Sequence, residues 1–593
     1  MLLMPSVWPN LGVMTSLAGL SSQHRSSRHG RHAARRSGRP AVLSIFNKPK
    51  GHHTKRGISI PRFSRRQSSW LACIFMALLG GLLRFVRLGS PRAIVFDETY
   101  YVKDAWTMLM TGEPRNWPKK AGPLDLPIDQ IFAQGHTSDW LPQAEYVVHP
   151  PVGKWCIALG LKLFGGAGNP FAWRAATALA GTIAILLLCR VALRLFHNLP
   201  IALTAGFLMA IDGLGIVMSR TGLLDNFVMI FVLGAWLCLM GHRDWARTRL
   251  RQSWAKDQAD FRLHYRVKVI QSQGQQGRQS RVELPVATTG PFIAWSWWRT
   301  GAALLLGLAT GTKWSGAYFF AVFALISVLW DGWERHQAGY GSWLQSAVFR
   351  DGLPAALLMI PVWAGTYLAS WTGWFLHGDS FMHSWAAQHP GQGLTWLPEG
   401  LRSLAEYHRQ MWHFHTTLHT RHPYMANPLT WPLQIRPTSF YWQKITGFPG
   451  LCGLAKDSPC VAAVTSLGNP LTWWLGSICM VLAIVIAVVA KHGDWRIWGV
   501  LAGMLAGWLP WIQYMNRTTF TFYSIVILPW MILAICYVVN WLRQNSDSIL
   551  YRQTMIMSLT LLGLTSVFFY PLWTAMPIPY DFWRMHMWLS SWI

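Results

Sequence analysis

The sequence predicts a polytopic, all-α membrane protein, and its composition, its hydropathy pattern and its charge distribution each indicate this class. Of the 593 residues only 13% are charged and 52% are hydrophobic, whereas soluble domains carry about 25% charged residues. The apolar runs are about twenty residues long, which is the length that a helix needs to cross a bilayer. We therefore expect one transmembrane domain over residues 70–593.

The apolar runs predict eleven membrane spans, separated by two long outer stretches at about 90–170 and 372–470. Within the first outer stretch, 153–164 is expected to be a short amphipathic helix on the membrane. The prolines between 422 and 437 favour a rigid, non-helical loop in the second stretch. The predicted spans are 70–88, 172–195, 201–218, 224–240, 298–309, 318–329, 353–371, 472–490, 497–512, 522–542 and 554–570.

Two basic segments indicate the orientation of the chain in the membrane. Residues 1–69 contain 13 Lys and Arg and no Asp or Glu, so we expect a disordered cytoplasmic tail there. A second basic block lies in the predicted inner loop 242–295. RNA binding is the alternative explanation, but both blocks flank spans, where basic residues mark the cytoplasmic side and meet anionic lipid. We therefore expect no nucleic-acid partner, and we expect the outer stretches and the C-terminus to lie outside the cytoplasm.

Two adjacent carboxylates follow the first span. Asp97 and Glu98 lie within 95–101, which places them at the outer boundary between water and lipid. A carboxylate at this boundary could act as a general base toward a hydroxyl group of an incoming substrate. The alternative is that the two acids form a hydrated helix cap. Our hypothesis is that Asp97 is the catalytic base of an enzyme that acts on a lipid-borne substrate.

Several cations lie at the same outer face. Arg517 follows the ninth predicted span, where it could bind a phosphate through two hydrogen bonds or anchor the chain among lipid headgroups. Because the spans 298–309 and 318–329 are short, Lys313 between them should lie below the outer surface. It could line a wet cavity or extend its ammonium group back to the interface.

Histidines and cysteines of the second outer stretch raise the question of metal and disulfide bonds. We expect no metal, because no nearby set of carboxylates or cysteines completes a site around the histidines. Cys452 and Cys460 could form a disulfide in an oxidising exterior, and the sequence leaves that open. The histidines are His377, His383, His389, His408, His413, His415, His419 and His422.

The outer carboxylates, cations and aromatic residues together suggest transfer of a sugar from a polyprenyl phosphate. Cations would hold the phosphate leaving group and stabilise the charge that it gains. A carboxylate would accept the proton of the incoming hydroxyl. Direct displacement with a single base implies inversion at the sugar carbon.

The chain closely resembles the protein O-mannosyltransferases, in particular the actinobacterial branch, from about residue 83 to 593. Each matching stretch is weak alone, but the set is specific. The matches are Phe96-Asp97-Glu98-Thr99-Tyr100-Tyr101, His149-Pro150-Pro151-Val152-Gly153-Lys154-Trp155, Ser219-Arg220-Thr221, Leu224-Asp225-Asn226, Lys313-Trp314-Ser315-Gly316, His422-Pro423-Tyr424, Trp431-Pro432-Leu433, Arg436-Pro437, Asn469-Pro470, Trp473-Trp474, Arg517-Thr518, Phe520 and the stretch 587–593.

The resemblance implies a GT-C type membrane fold with eleven spans. It implies transfer of mannose from polyprenyl-phosphate mannose to Ser or Thr of a protein that crosses the membrane, with Asp97 and Glu98 as the catalytic pair and without a metal or other cofactor. From their positions and charges, we predict that further residues contact the donor phosphate or the substrates. These residues are Arg517, Lys313, Arg436, His422, Tyr424, Lys154, Arg220 and Asp225.

Two other functions fit parts of the same pattern. A related enzyme could transfer the sugar to a glycolipid or a cell-wall glycan, since the chemistry would be the same and only the acceptor groove would differ. A transporter of the lipid-linked sugar would place ionisable residues inside the spans, and many transporters show internal repeats, whereas the charges here concentrate in the outer loops. We expect a multi-pass protein of the plasma membrane that acts on secreted or membrane proteins, and contact with the secretion channel stays open.

Overall fold

The computed structural model describes residues 64–272, 289–445, 452, 459–489 and 494–593. The predicted tail 1–69 therefore lies outside the described residues except for 64–69. The first helix, α1 (Arg65–Phe85), starts before the predicted span because Ser64 and Gln67 form a reciprocal capping box. In this motif each side chain bonds the backbone N–H of the other residue, which satisfies amides that the helix leaves free.

Helices make up most of the described chain. In the first half, α1 is followed by α2 (Glu98–Thr111), α3 (Ile128–Ala133), α4 (Val152–Leu163), α5 (Pro170–Phe196), α6 (Leu199–Ile211), α7 (Gly213–Ser219), α8 (Asp225–Ser272), α9 (Trp297–Thr310), α10 (Gly316–Ala338), α11 (Trp343–Ser346) and α12 (Leu353–Ser370). A π-helical turn, Ala347–Gly352, joins α11 to α12. The predicted helix at 153–164 is confirmed as α4.

The second half contains α13 (Thr372–Leu376), α14 (Trp385–Gln388), α15 (Glu399–Thr417), α16 (Pro470–Val489), α17 (Arg496–Gly507), α18 (Leu528–Asn545), α19 (Ser548–Trp573) and α20 (Tyr580–Met585). Four 3-10 helices, Pro428–Leu433, Leu509–Tyr514, Thr521–Ile527 and Ser590–Trp592, accompany them. The strands are β1 (Lys120–Ala121), β2 (Leu126–Pro127), β3 (Ser439–Ile445), β4 (Cys460–Thr465) and β5 (Ile578–Pro579), and both small sheets, β1-β2 and β3-β4-β5, are antiparallel.

The described residues confirm a multi-pass helical membrane protein, although not the predicted count of eleven spans. Eight helices are long and apolar enough to cross a membrane, or up to nine if the bent pair α6 and α7 forms one span. The predicted spans 298–309 and 497–512 correspond to α9 and α17. With 14 and 12 residues, these two helices are too short to be counted among the eight. Apolar side chains on the outer faces of α1, α16 and α19 are exposed, as expected for surfaces that meet lipid.

Two predicted boundaries are wrong. The inner loop 242–295 begins instead as a continuation of α8, which runs without interruption to Ser272 because no proline or glycine occurs in 242–272. Helix α10 is also longer than the predicted 318–329. Its inner end carries Asp331, Glu334 and Arg335, which are buried rather than solvated.

Ion pairs with neighbouring helices explain how α10 extends past its apolar run. Asp331 accepts from Arg299 at 2.8 Å, and Arg335 donates to Asp351 at 2.6 Å. Glu334 pairs with Arg243 of α8. Burying these charges without partners would cost several kcal/mol for each ion. Partners that are distant in sequence therefore decide where this helix ends.

A long helix also occurs where the sequence analysis predicted none. Helix α15 lies between Pro398 and Leu418 in the second outer stretch, and it buries Ser403, Leu404, Tyr407 and Met411. These positions recur at helical spacing and form one apolar face. The proline-rich part that follows, between 422 and 437, forms one 3-10 helix and otherwise irregular backbone, as predicted.

The chain bends by 61° between α6 and α7. The buried side chains of Arg84 and Asp212 stabilise this bend through hydrogen bonds. Arg84 donates to the carbonyl oxygens of Met209 at 2.9 Å and Ala210 at 3.0 Å, which lie at the end of α6. Asp212 accepts from the amide of Gly215 at 2.9 Å and from the indole of Trp473 at 3.0 Å. In a bilayer such backbone groups have no water to bond, so these side chains make the broken helix tolerable.

Replacing Arg84 with Met should therefore lower the melting temperature of the detergent-solubilised protein. The carbonyl oxygens at the end of α6 would lose their donors, at a cost of about 3 kcal/mol. Thermal unfolding followed by tryptophan fluorescence measures the change. Arg87→Met is the control, since the Arg87 side chain is exposed at the same end of α1. Equal melting temperatures for the two variants would show that the hydrogen bonds of Arg84 do not stabilise the bend.

Candidate active site

Asp97 lies in the turn at 96–97 that immediately precedes α2. It occupies the N-cap position of α2, is partly buried and makes no side-chain capping hydrogen bond. The preceding residue, Phe96, has a φ of 49°, a left-handed conformation that is unusual for a bulky residue. Its ring packs against Phe440 at 4.8 Å and Phe522 at 5.4 Å between centroids. The aromatic contacts hold the turn, and the Asp97 carboxylate is not used in capping the helix.

Glu98 points into the protein. Its Oε1 accepts hydrogen bonds from the Arg174 Nε and the Gly222 amide, both at 2.8 Å. Its Oε2 accepts from the Val95 amide at 3.0 Å and from Arg174 Nη2 at 2.9 Å. The side chains of Glu98 and Arg174 are both fully buried. The sequence predicts two adjacent acids that face the substrate, whereas in the structure Glu98 joins α2 to α5 and to the α7–α8 turn.

Two arginines tie down the segment between α1 and Asp97. Arg174 also donates to the carbonyl oxygens of Pro91 at 3.0 Å and Ala93 at 2.9 Å. Arg220 donates to carbonyl oxygens at the C-terminal end of α1 and just beyond it, those of Arg84, Val86 and Arg87. Arg220 was expected to contact the donor, but its guanidinium group is used to hold this segment and does not line the neighbouring cavity.

A cavity of about 510 Å³ is lined by Lys313 and Asp225, whose charges act on Asp97, although Asp97 itself is not among the lining residues. Its walls come from the α9–α10 connection, α12, α15 and the 3-10 segments near 509–527. Aromatic rings form most of its surface, and its charged members are Asp225, Lys313 and Arg517. The aromatic rings include Trp314, Trp363, Trp412, Trp511, Tyr318 and Tyr367.

Lys313 and Asp225 form an ion pair in the wall of this cavity. The Lys313 ammonium donates to both carboxylate oxygens of Asp225, at 2.9 and 2.8 Å, and lies 5.0 Å from the centroid of the Tyr523 ring. Lys313 is only 7% exposed, so it lines the cavity rather than extending to the interface. Asp225 starts α8, where the helix dipole favours a negative charge.

Arg517 is held by a histidine rather than by a carboxylate. Its Nε donates to the backbone carbonyl of His415 at 2.8 Å, and its Nη2 lies 3.2 Å from the His415 Nδ1. His415 Nε2 lies 2.7 Å from the carbonyl oxygen of Val148 and donates to it, which leaves Nδ1 as the acceptor. Burial and the neighbouring cations lower the pKa of His415 to about 4. Arg517 takes part in none of the ion pairs between described residues, so its charge faces the cavity unneutralised.

Asp97 lies close enough to this charged group to be influenced by it. Burial raises the pKa of Asp97 to about 6, the positive charge of Lys313 opposes that rise, and the negative charge of Asp225 adds to it. A hydrogen bond from Tyr101 also stabilises the ionised form of Asp97. The second carboxylate of the site is therefore Asp225, which comes from a distant part of the chain, and not the adjacent Glu98.

Three polar rings form a hydrogen-bonded relay along one wall. The Trp314 indole N–H donates to the Tyr367 hydroxyl at 2.9 Å, and that hydroxyl lies 2.6 Å from His408 Nε2. His408 Nδ1 bonds the Leu404 carbonyl at 2.7 Å, so Nε2 is the acceptor. From the sequence, these histidines raised the question of a metal site, and none was expected. His408 takes its role from Tyr367 of α12, and His415 takes its role from Val148 and Arg517. These partners are distant in sequence, and no sequence pattern indicates them.

The remaining predicted contacts lie outside the cavity. Lys154 pairs with Asp104 at 2.9 Å, with both side chains buried, and borders a smaller chamber of about 40 Å³. Arg436 donates to the carbonyl oxygens of Pro423 and Ile593 and lies 5.3 Å from the Tyr424 ring centroid.

His422 lies in the same outer loop as Tyr424. Its Nδ1 accepts from the Tyr424 amide at 3.1 Å. Its ring is 6.3 Å from Phe96 and 5.1 Å from Phe520. His422 therefore supports the turn before Asp97.

Within the described residues, no group of three or more His, Cys, Asp or Glu is arranged to hold a metal ion. Cys452 and Cys460 are joined by a disulfide.

Comparison with known proteins places the chain in a family. Residues 401–592 match the model of the C-terminal four-transmembrane region of protein O-mannosyltransferase, and 148–254 match that of dolichyl-phosphate-mannose–protein mannosyltransferase. The polyprenol-phosphate-mannose–protein mannosyltransferase of Mycolicibacterium smegmatis strain MKD8 is 31% identical over 547 residues, which cover 89% of this chain and 93% of that protein. The chain belongs to the polyprenol-phosphate-mannose–protein mannosyltransferase family.

Other members of this mannosyltransferase family show similar agreement. The protein of Mycobacterium tuberculosis strain CDC 1551 is 31% identical over 89% of this chain and 92% of its own length, and that of Corynebacterium glutamicum is 27% identical over 90% and 95%. The protein O-mannosyltransferase Pmt1–Pmt2 complex of S. cerevisiae bound to the sugar donor superposes with a TM-score of 0.63 at 13% identity, over 90% of this chain and 93% of that chain. The GT-C type fold implied by the sequence is thereby confirmed.

Replacing Glu98 with Ala should destabilise the fold, because Arg174 would remain buried without its carboxylate. Breaking a buried ion pair in this way costs about 3–5 kcal/mol. The melting temperature in detergent measures the loss, and Glu98→Gln should recover part of it.

The control for this change is Lys120→Ala, which breaks the exposed pair with Asp125 and should cost less than about 1 kcal/mol. A Glu98→Ala protein as stable as wild type would contradict a positioning role for Glu98.

Proposed function

We propose that this protein transfers mannose from polyprenyl-phosphate mannose to Ser or Thr hydroxyls of polypeptides at the extracytoplasmic face of the plasma membrane, with inversion at the sugar carbon. The names of the curated relatives support the donor and the acceptor class. The observation that carries the proposal is the cavity itself, which Arg517 and Lys313 line, together with the position of Lys313, which is close enough to the Asp97 carboxylate for its charge to act on that group.

Lys313 and Arg517 hold the phosphate of the donor. Arg517 offers a guanidinium group without a carboxylate partner, and a guanidinium suits bidentate bonding to phosphate. Lys313 has three N–H donors and makes two hydrogen bonds to Asp225, so its third N–H can bond the phosphate. As the bond from the sugar carbon to the phosphate oxygen breaks, both cations stabilise the negative charge that the leaving group gains.

Asp97 is the general base. The acceptor oxygen forms its bond to the sugar carbon on the face opposite the departing phosphate, and the hydroxyl proton passes to the Asp97 carboxylate. A pKa near 6 keeps this group mostly ionised at neutral pH and still a competent proton acceptor. Glu98 acts through position only, since its oxygens are occupied by Arg174 and backbone amides.

The proposed mechanism uses protein cations where soluble nucleotide-sugar enzymes use a metal ion. Two positive charges at the leaving phosphate, from Lys313 and Arg517, supply the stabilisation that the step requires. We therefore propose that transfer needs no metal or other cofactor, so that activity persists in the presence of a chelator.

The proposed orientation places Asp97 outside and the basic inner end of α8 in the cytoplasm. Arg249 and Arg251 are exposed on that end of α8, as the excess of basic residues on cytoplasmic segments predicts. Labelling of single cysteines with a membrane-impermeant reagent tests this orientation.

The function is tested by incubating the purified protein with radiolabelled polyprenyl-phosphate mannose and a Ser/Thr-rich peptide. Label in the peptide is the expected result. Label only in glycolipid would identify a lipid-directed transferase instead, and movement of intact donor across a vesicle membrane without transfer would identify a transporter.

The Asp97→Asn variant should bind donor but lose transfer, because the amide cannot accept the proton. Wild-type kcat/KM should rise as the pH increases through about 6 and then level off, since the base works only when ionised. Initial rates between pH 5 and 8 measure both effects. Asp125→Asn, which changes an exposed acid of the same outer stretch, should behave as wild type. Substantial transfer by the Asp97→Asn variant would show that Asp97 is not the general base.

The Arg517→Ala variant should raise the KM for donor by about 10-fold or more, because a charged hydrogen-bond partner of the phosphate is lost. The KM for the acceptor peptide should change little. Steady-state kinetics with each substrate varied in turn separates the two constants. Arg409→Ala removes an exposed arginine of α15 and serves as the control. An unchanged donor KM would exclude Arg517 from the phosphate site.

A further inference from the structure

His149 lies in the wall that the two cavities described above share. It lines both the large cavity and the smaller chamber of about 40 Å³. The two following residues are Pro150 and Pro151, and α4 begins at Val152. A proline restricts the residue before it to extended backbone, so His149 is held at the end of an extended segment rather than in a helix.

The His149 ring is fixed by stacking rather than by hydrogen bonds. It stacks on His415 with centroids 5.2 Å apart and planes at 28°, and it lies 6.0 Å from the Tyr101 ring. Among the described residues, no group forms a hydrogen bond to either ring nitrogen of His149. The ring that it stacks on, His415, has both nitrogens engaged by Val148 and Arg517. His149 is thus the histidine of this pair with hydrogen-bonding capacity to spare.

Burial and the surrounding positive charges keep His149 neutral. Burial lowers its pKa well below the usual value, and the positive charges of Lys313, Lys154 and Arg517 lower it further. A neutral imidazole carries one N–H donor and one acceptor nitrogen. An ionised phosphate offers only acceptors and is matched by Lys313 and Arg517, whereas an alcohol hydroxyl both donates and accepts and is matched by a neutral imidazole.

We propose that His149 hydrogen-bonds a hydroxyl group of the donor's mannose ring and so holds the sugar while Lys313 and Arg517 hold the phosphate. The inference rests on the proposed function and assigns the sugar subsite within it. The sugar is attached directly to the phosphate, so its ring hydroxyls reach the walls next to the phosphate-binding cations, and His149 is close enough to both cations for their charges to act on it. His149 is then a residue that helps to select the sugar.

Donor binding tests this assignment without any transfer step. Binding of polyprenyl-phosphate mannose and of bare polyprenyl phosphate is measured in detergent with the full-length protein. Wild type should bind the mannosylated lipid about 10-fold more tightly. His149→Ala should lose that difference while keeping its affinity for the bare phosphate. Arg517→Ala, in contrast, should weaken both lipids.

Two further variants keep the test interpretable. His149→Gln should recover part of the preference, because an amide also donates and accepts, and His413→Ala changes an exposed histidine of α15 and should bind as wild type. Melting temperatures show whether each variant is folded. Unchanged discrimination in a folded His149→Ala protein, or weaker binding of both lipids by the same factor, would overturn the assignment.

Donors in which one sugar hydroxyl at a time is replaced by hydrogen identify the contacted group. With the wild-type protein, one modified donor should have a kcat/KM about 10-fold lower than that of the natural donor. With His149→Ala, the same modified donor and the natural donor should have equal kcat/KM values. If every modified donor lost the same factor in His149→Ala as in wild type, the assignment would be overturned. Absence of peptide labelling by wild type would instead refute the proposed function, and the binding comparison would still decide whether His149 contacts the sugar.

Discussion

The buried contact between Glu98 and Arg174 is the constraint on which the site depends. It connects the first turn of α2 to α5 and, through the Gly222 amide, to the turn before α8. The remaining donors of Arg174 hold the carbonyl oxygens of the segment after α1. Because every strong hydrogen-bonding position of the Glu98 carboxylate is occupied, the turn has one arrangement, and that arrangement leaves the neighbouring Asp97 close enough to Lys313 and Asp225 for their charges to act on it. The left-handed backbone at Phe96 is maintained by the packing of its ring.

The two cations that line the cavity differ in how far their charge is neutralised. Asp225 neutralises part of the Lys313 charge, while Arg517 is held by a neutral histidine and by carbonyl oxygens. This difference leaves a net positive surface for a phosphate, yet keeps a cation near Asp97 that limits the rise in its pKa. A carboxylate bonded to Arg517 would compete with the substrate. Using the imidazole of His415 instead positions the guanidinium group without cancelling its charge.

The polar groups inside the membrane domain have a different task. Arg84 and Asp212 satisfy the backbone at the break between α6 and α7, and the pairs of Asp331, Glu334 and Arg335 allow α10 to continue past its apolar run. Each of these charges would be costly in lipid if it were alone. Their partners come from other helices, so the ends of the spans are properties of the bundle and cannot be read from a single segment.

The sequence by itself determined the membrane class, most of the long spans and the position of the acid–cation chemistry in the outer segments, because hydropathy and charge are local properties of the chain. It also identified Asp97, Lys313, Arg517 and Asp225 as residues of interest. Only the tertiary structure decided that Glu98 is a buried support, that Arg220 holds backbone, and that Asp225 takes the place of the second carboxylate. It alone placed the neutral rings of His149, His408 and His415 at the cavity. The physical reason is that burial, ion pairing and protonation depend on which distant residues come together, and one sequence without its packing does not contain those distances.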